Sequence, residues 1–209
     1  TFSYWIFFFV TLLLFYWVPF RWGKWVLFFA SCLFYMFWNP IFIVLLGGII
    51  ILDFVAGILI DQSEGKTRFY WLLLSLVANL GILAFFKYYN FFASLVATAV
   101  GKPEASFMLS IVLPLGISFH TFQSMSYTID VYRRKTRATR NFLDFALFVT
   151  FFPQLVAGPI VRARDFLPQI VRPKRWNWSR LQLGAGFFLL GLFKKLVIAD
   201  RLAMLVDPV

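Results

Sequence analysis

Apolar residues in this chain come in long runs separated by short polar breaks. A helix needs about 20 predominantly apolar residues to cross a bilayer. Phe2–Phe20 has that length. Arg21, Gly23 and Lys24 interrupt it, and Trp25–Trp38 then runs on to Asn39-Pro40, where proline disfavours helix in the preceding residue. Ile41–Ile60 follows at once, so these two runs predict a helical hairpin with a tight turn. Asp61–Arg68 is a polar loop. Phe69–Phe86 predicts another span, closing on Lys87-Tyr88-Tyr89-Asn90, the aromatic rings and snorkelling lysine of a membrane interface. Phe91–Val100 is expected along that interface and Gly101–Ser106 as a turn. Phe107–Ile129 predicts a fifth span, kinked near Pro114 and Gly116. A last tract, Leu181–Phe193, is interrupted by Lys194-Lys195 and continues as Leu196–Val206.

Charge placement tests the topology. With residues 21–24 on the cytoplasmic side, 61–68 and 130–140 also fall inside, and these stretches carry two, two and five Lys/Arg. The opposite loops, 39–40 and 87–106, carry none and two. The positive-inside rule is met with the N-terminus outside. Phe142–Ile160 breaks the scheme. It is long enough to cross, yet residues 162–180 hold six Lys/Arg against one acid and also belong inside. Pro153, Gly158 and Pro159 interrupt any helix there. The expectation is therefore a re-entrant or broken helix over 142–160, whose non-helical backbone must be buried in protein or line a wet cavity.

Composition agrees. The chain is 61% hydrophobic and 14% charged, with 29 Phe, where soluble domains have about 45–50% and about 25%. The predicted class is all-α: a polytopic transmembrane helical bundle, read as one membrane domain over residues 1–209 with no internal repeat or linker. The net charge of +11 is concentrated beyond residue 129. Its place in short loops between apolar runs argues for membrane orientation and against nucleic-acid binding. The first run lacks a basic leader and a cleavage site, so it reads as a membrane helix rather than a signal peptide. Opening on Thr1 and closing at Val209, just after an apolar stretch, the sequence reads as part of a longer polypeptide. The single Cys32 excludes an internal disulfide and a cysteine metal site. No phosphate-binding GxxxxGK[ST] loop or HExxH zinc motif occurs.

Polar groups inside apolar runs are the candidate functional residues. Asp53 is either a functional group or, the reading favoured here, a structural one held by an ion pair, for instance with Lys87, or by a hydrogen bond to a neighbouring helix. Asn79 reads as an interhelical hydrogen-bonding residue. His120, Gln123 and Tyr127 share one helical face by spacing. His120 is either a general base or a buried polar residue that shapes packing. Asp144 and Gln154 flank the broken segment. Gln154, with Pro153, Gly158 and Pro159, would form a cavity wall or re-satisfy a broken helix. The basic stretches Arg133–Arg137 and Arg172–Arg180 suit anionic lipid, or a phosphate-bearing acyl donor or acidic carrier protein. Trp176 and Trp178 fit an interfacial helix.

Four segments carry a family resemblance: Leu113–Gln123, Tyr127–Arg133, Asn141–Phe148 continuing through Phe151–Ile160, and Gly191–Asp200. In this order they resemble the membrane-bound O-acyltransferases, most closely the branch that acetylates alginate. They make up about a quarter of the chain, between residues 113 and 200. The resemblance implies a helical enzyme of the bacterial inner membrane that transfers an acetyl group to a hydroxyl of an exopolysaccharide such as alginate. It implies a donor such as acetyl-CoA or an acyl carrier, no bound cofactor or metal, and periplasmic partner proteins. It also implies that the catalytic histidine lies in a later helix, so that His120 is a weak candidate and this segment alone is inactive. Gln123, Tyr127, Pro153, Gln154, Gly158 and Pro159 are then candidates for a tunnel wall. Asp53, Asn79 and Lys87 are candidates for structural polar groups. Broken helices and intramembrane polar groups also suit a transporter or flippase for a lipid-linked or acyl intermediate; missing repeat symmetry speaks against it. A non-catalytic assembly subunit is a third possibility.

Overall fold

The computed structural model describes residues 2–101, 109–110, 112–114, 116–155, 158–174 and 176–206, and among these every regular element is helical. They divide into two compact units, residues 1–173 and 174–209.

In the first unit, α1 (Phe2–Trp17) and α2 (Phe20–Met36) form a hairpin closed by Pro19. Arg21, Gly23 and Lys24 were expected to interrupt the apolar run; they form the first turns of α2 instead. Proline at the N-cap starts that helix, since its missing N–H would have had no partner there. Asn39-Pro40 ends the α2 region as expected, and α3 (Phe42–Gln62) follows within a few residues. Only Ser63 and Glu64 separate α3 from α4 (Gly65–Val100), so the expected polar loop 61–68 is mostly helical at its ends.

α4 is the largest departure from expectation. It is one 36-residue helix, about 54 Å long at 1.5 Å per residue, which exceeds the hydrocarbon thickness of about 30 Å. Phe91–Val100 therefore continues the helix axis rather than bending along the interface. Nothing in 87–100 is a proline or glycine, so no residue stops the helix before Gly101, which caps it at φ 69°. Beyond Gly101 the expected turn lies outside the described residues. The chain returns alongside α4, where the Asn90 amide accepts from Leu109 N–H at 3.0 Å and donates to Leu109 O at 2.9 Å.

The fifth run also differs. α5 begins only at Ile117 and ends at Tyr132, and residues 109–110 and 112–114 are not helical. Pro114 and Gly116 thus start the helix rather than kink it. Gly116 sits at φ 67°, the left-handed region that glycine enters without penalty. A Cβ there would also lie 2.8 Å from Leu155 O.

The stretch 142–160 is broken, as its prolines and glycines predict. α6 (Phe142–Thr150) has nine residues, about 14 Å, half the hydrocarbon thickness. Phe151 leaves the helical conformation and α7 (Phe152–Leu155) is a single turn. The chain then comes back to α8 (Ala163–Val171), whose Phe166 ring packs 5.7 Å from Phe148 and 5.3 Å from Phe151.

Contacts at the ends of the helices show which loops lie together. Lys24 in the first turns of α2 pairs with Asp144 at the start of α6, at 2.6 Å. Arg68 in the first turn of α4 donates to Val131 O at the end of α5, at 2.6 Å. Residues 136–139 and α8 line one concavity. The basic segments 21–24, 66–68, 133–140 and 162–172 therefore gather at one end of the bundle. The segment between 140 and 162 leaves that end and returns to it, as a re-entrant hairpin must.

The packing is inside-out relative to a soluble protein. Asp53, Ser75, Asn79, Gln123, Ser124 and Thr128 are buried in the helix bundle, while Phe9, Leu13, Phe29, Val77 and Leu80 are exposed on its surface. Exposed apolar surface of that extent marks contact with lipid.

In the second unit, α9 (Trp178–Phe193) is capped by the Asn177 side chain, which accepts from Arg180 N–H at 3.0 Å. Lys194-Lys195 does not stop it. The helix widens into a π-turn, Lys194–Ala199, and continues as α10 (Asp200–Val206). Lys195 meets Asp200 at 2.8 Å across that turn. Residues 178–203 are long and apolar enough to cross a membrane, as are α3 and α4.

Candidate functional site

Two layers of polar residues occupy the middle of the first unit, both organised by α5. Helical spacing sets Ser124 and Thr128 on one side of α5 and His120, Gln123 and Tyr127 on an adjoining side.

The first layer is centred on Asp53 of α3, fully buried. Its carboxylate accepts from Ser75 Oγ at 2.6 Å and from Asn79 Nδ2 at 3.0 and 2.8 Å, both on α4, and from Ser124 Oγ on α5. Ser75 Oγ also lies 3.2 Å from Thr128 Oγ1. Three helices are thus tied through one carboxylate whose oxygens are filled by neutral donors. This corrects the alternative of an ion pair with Lys87. That lysine is exposed on α4, its Nζ 5.5 Å from the Tyr88 ring, and the hydroxyl of Ser75 and the amide of Asn79, about three and four turns into α4, occupy Asp53 instead. Asn79 does bridge helices, as its position in an apolar run suggested.

The second layer repairs the break between α6 and α7. In an unbroken helix Phe152 N–H would donate to Phe148 O. Here Phe152 N–H donates to Ser31 Oγ of α2 at 3.2 Å. The freed Phe148 carbonyl accepts from Gln123 Nε2 of α5 at 2.5 Å. Gln154 Nε2 in turn donates to Gln123 Oε1 and to Pro159 O, each at 3.2 Å. Gly158 N–H donates to Gln154 O at 3.1 Å. Pro153, inside α7, has no N–H to offer Val149 O, so the helix cannot close over this point. Buried backbone groups must find partners, and a pair of glutamines supplies them. The structure thus brings Gln123, Gln154, Gly158 and Pro159 together, with Pro153 as the residue that holds the break open.

Tyr127 lies one turn from this pair and faces elsewhere. Its ring packs 4.6 Å from Phe145, and its hydroxyl accepts from Thr139 N–H at 3.1 Å, closing the basic loop onto the bundle. α3 approaches closely at this point: a Cβ on Gly57 would lie 2.6 Å from the Tyr127 ring. His120 is buried between Tyr35, ring centroids 5.6 Å apart, and the Gly116 turn.

By sequence Asp144 is only a flank of the broken segment. It is the acidic partner of Lys24, and its N–H is capped by the Asn141 side chain at 3.3 Å. Sequence reasoning passed over Ser31, Gly57, Ser75, Ser124 and Thr128. The usable signal was small polar residues four apart within apolar runs, Ser75/Asn79 and Ser124/Thr128, a spacing that presents hydrogen-bonding groups to one neighbouring helix.

Residues 62–208 match the model of MBOAT, the membrane-bound O-acyltransferase family. The chain belongs to that family. The matched region takes in α4 to α10, including the broken segment and both glutamines. The chain is 38% identical over 191 residues to the Probable alginate O-acetylase AlgI of Pseudomonas syringae pv. tomato, covering 90% of this chain and 37% of that protein. Identity to the protein of the same name from Pseudomonas aeruginosa is 38% over 192 residues, 90% of this chain and 36% of that protein. The Peptidoglycan O-acetyltransferase of Helicobacter pylori is 37% identical over 205 residues, 85% of this chain and 38% of that protein. The chain thus spans somewhat more than a third of the length of the curated relatives it matches. No solved structure matches it. This MBOAT chain is a multi-pass membrane protein, consistent with three helices able to cross a bilayer among the described residues.

Proposed function

We propose that this MBOAT chain is part of an enzyme that transfers an acetyl group to hydroxyls of an extracytoplasmic polysaccharide, and that the α6–α7 break forms part of the wall along which the activated acyl group passes. The observation that carries the reading is the family match across α4 to α10, together with a buried glutamine pair maintained at a helix break within it. Irregular backbone at membrane depth occurs where it is buried in protein or borders a cavity. The donor class is a thioester, acetyl-CoA or an acyl carrier. In transfer, the acceptor oxygen bonds to the acyl carbon, the bond from that carbon to the donor sulfur breaks, and the hydroxyl proton passes to a base. The family resemblance assigns that base to a histidine in a later helix of the whole protein. His120, enclosed by Tyr35 and Gly116, then serves packing. The basic end of the bundle faces the cytoplasm and the N-terminus the periplasm of a bacterial inner membrane. Acceptor polysaccharide and periplasmic acetylation proteins meet the enzyme on the periplasmic side. Alginate is the favoured acceptor, because proteins described as alginate O-acetylases recur among the relatives.

The test is ester-bound acetate on polysaccharide secreted by cells that express the full-length protein. The wild type is expected to acetylate. Gln154→Ala is expected to lower acetylation at least tenfold at unchanged membrane abundance, because the pair that shapes the break is lost. Movement of an acyl or lipid-linked compound across the membrane with no ester formed would overturn the reading in favour of a transporter. Full acetylation by Gln154→Ala would remove the break from the path.

A further inference from the structure

The basic end of the bundle holds a concavity of about 480 Å³ between the loop after α5 and helix α8. Its polar lining is Thr136, Arg137, Thr139, Arg164 and Arg172. Three exposed arginines from two separate chain segments thus line it together with two hydroxyl-bearing residues. Arg164 is paired with its neighbour Asp165 at 3.6 Å; among the described residues no carboxylate pairs with Arg137 or Arg172. The position of the loop is fixed: Tyr127 holds Thr139 N–H, and Arg134 adopts φ 57°. On the α8 side, Leu167, Pro168 and Val171 supply an apolar edge. Guanidinium groups suit phosphate because their fork of N–H donors matches its oxygens.

We propose that this concavity binds the phosphate of an anionic phospholipid headgroup. Three features favour a lipid over a soluble phosphate ester. The site is at the end of a bundle whose sides are apolar and exposed. α8 is a nine-residue amphipathic helix with Phe166 turned to the core and Arg164 and Gln169 exposed, as in helices that lie at a membrane surface. The apolar edge continues directly from the arginines, so a phosphate and the start of its acyl chains find matching surfaces. Basic pockets between membrane helices take anionic headgroups in this way. The lipid would join loop 133–139 to α8, the two flanks of the re-entrant hairpin, and so fasten its mouth. The site requires no acyl-transfer chemistry and stands apart from the proposed reaction.

The test is binding of dioctanoyl phosphatidylglycerol to the full-length protein in neutral detergent, followed by native mass spectrometry with dioctanoyl phosphatidylcholine as the neutral comparison. The wild type is expected to retain phosphatidylglycerol in preference. The variant Arg137→Ala/Arg172→Ala is expected to lose at least tenfold in affinity. The control Arg133→Ala/Lys135→Ala removes the same charge from exposed neighbours that do not line the concavity; it should change affinity less than twofold. Arg137→Lys/Arg172→Lys keeps the charge without the fork and should recover part of the loss, which separates binding from folding. Equal losses in both alanine pairs would reduce the effect to general charge attraction and overturn the site. So would unchanged binding in Arg137→Ala/Arg172→Ala. Displacement of the lipid by equimolar inorganic pyrophosphate would assign the arginines to a soluble phosphate and overturn the lipid.

Discussion

At the residue scale, Asp53 and Gly57 carry the clearest consequences. Asp53 is an acidic residue inside the bundle whose side-chain oxygens are met by neutral donors. Removing one member of such a network leaves the others unsatisfied, at about 1–3 kcal/mol for each stranded group. Asp53→Leu is expected to lower the unfolding midpoint in detergent clearly. The double change Asp53→Leu/Asn79→Leu should cost less than the two single changes added together, because the stranded amide goes with it. Additive losses would mean that Asp53 and Asn79 are not coupled. Gly57 is required by space: Gly57→Ala pushes its methyl into the Tyr127 ring, a misfit of about 1–3 kcal/mol. Tyr127→Leu should relieve it, so Gly57→Ala is expected to cost less in a Tyr127→Leu background than in the wild type, read from the same unfolding midpoints. Tyr127→Phe keeps the ring and should give no relief.

These residue roles were only partly legible in the sequence. An aspartate in an apolar run announces that it needs partners, but the run does not say which. Of the two structural alternatives, the hydrogen bond to a neighbouring helix holds and the ion pair with Lys87 does not, because charge complementarity ignores register. Ser75 and Asn79 stand on the face of α4 that meets α3, whereas Lys87, further along the same helix, is exposed. Gly57 gave no signal, since its role depends on a ring brought by another helix.

At the scale of elements, proline and glycine placed the break in 142–160 correctly, and its repair was invisible until α2, α5 and α7 were assembled. The same punctuation misled elsewhere. Arg21, Gly23 and Lys24 look like a break but fit the polar first turns of α2, with Lys24 matched by Asp144. Pro114 and Gly116 look like a kink but begin α5. A proline marks where a helix cannot run on through hydrogen bonds; it does not tell a start from a bend. The repair has a thermodynamic signature. Gln123→Leu strands Phe148 O and removes one of the two acceptors of Gln154 Nε2, while Gln154→Leu takes the donor from Gln123 Oε1 and Pro159 O. A double-mutant cycle on unfolding stability should give a coupling of about 1 kcal/mol or more between them. A coupling near zero would mean that the glutamines act separately.

At the scale of the whole molecule, hydropathy set the class, and the count of basic residues in loops identified the conflict that a re-entrant hairpin resolves. The fold agrees, because loops with excess positive charge collect at one end and α6 is too short to cross. The length of α4 escaped the sequence reading, since an interface-like cluster at 87–90 does not by itself stop a helix. The central claim is that residues 142–160 enter and leave the membrane on one face, and cysteine accessibility tests it most directly. On a Cys32→Ser background, single cysteines replace Arg140, Arg164 and, at the opposite end of α2, Trp38. In sealed inverted and right-side-out membrane vesicles, a membrane-impermeant maleimide should label positions 140 and 164 from the same face and position 38 from the other. Labelling of 140 and 164 from opposite faces would contradict the account.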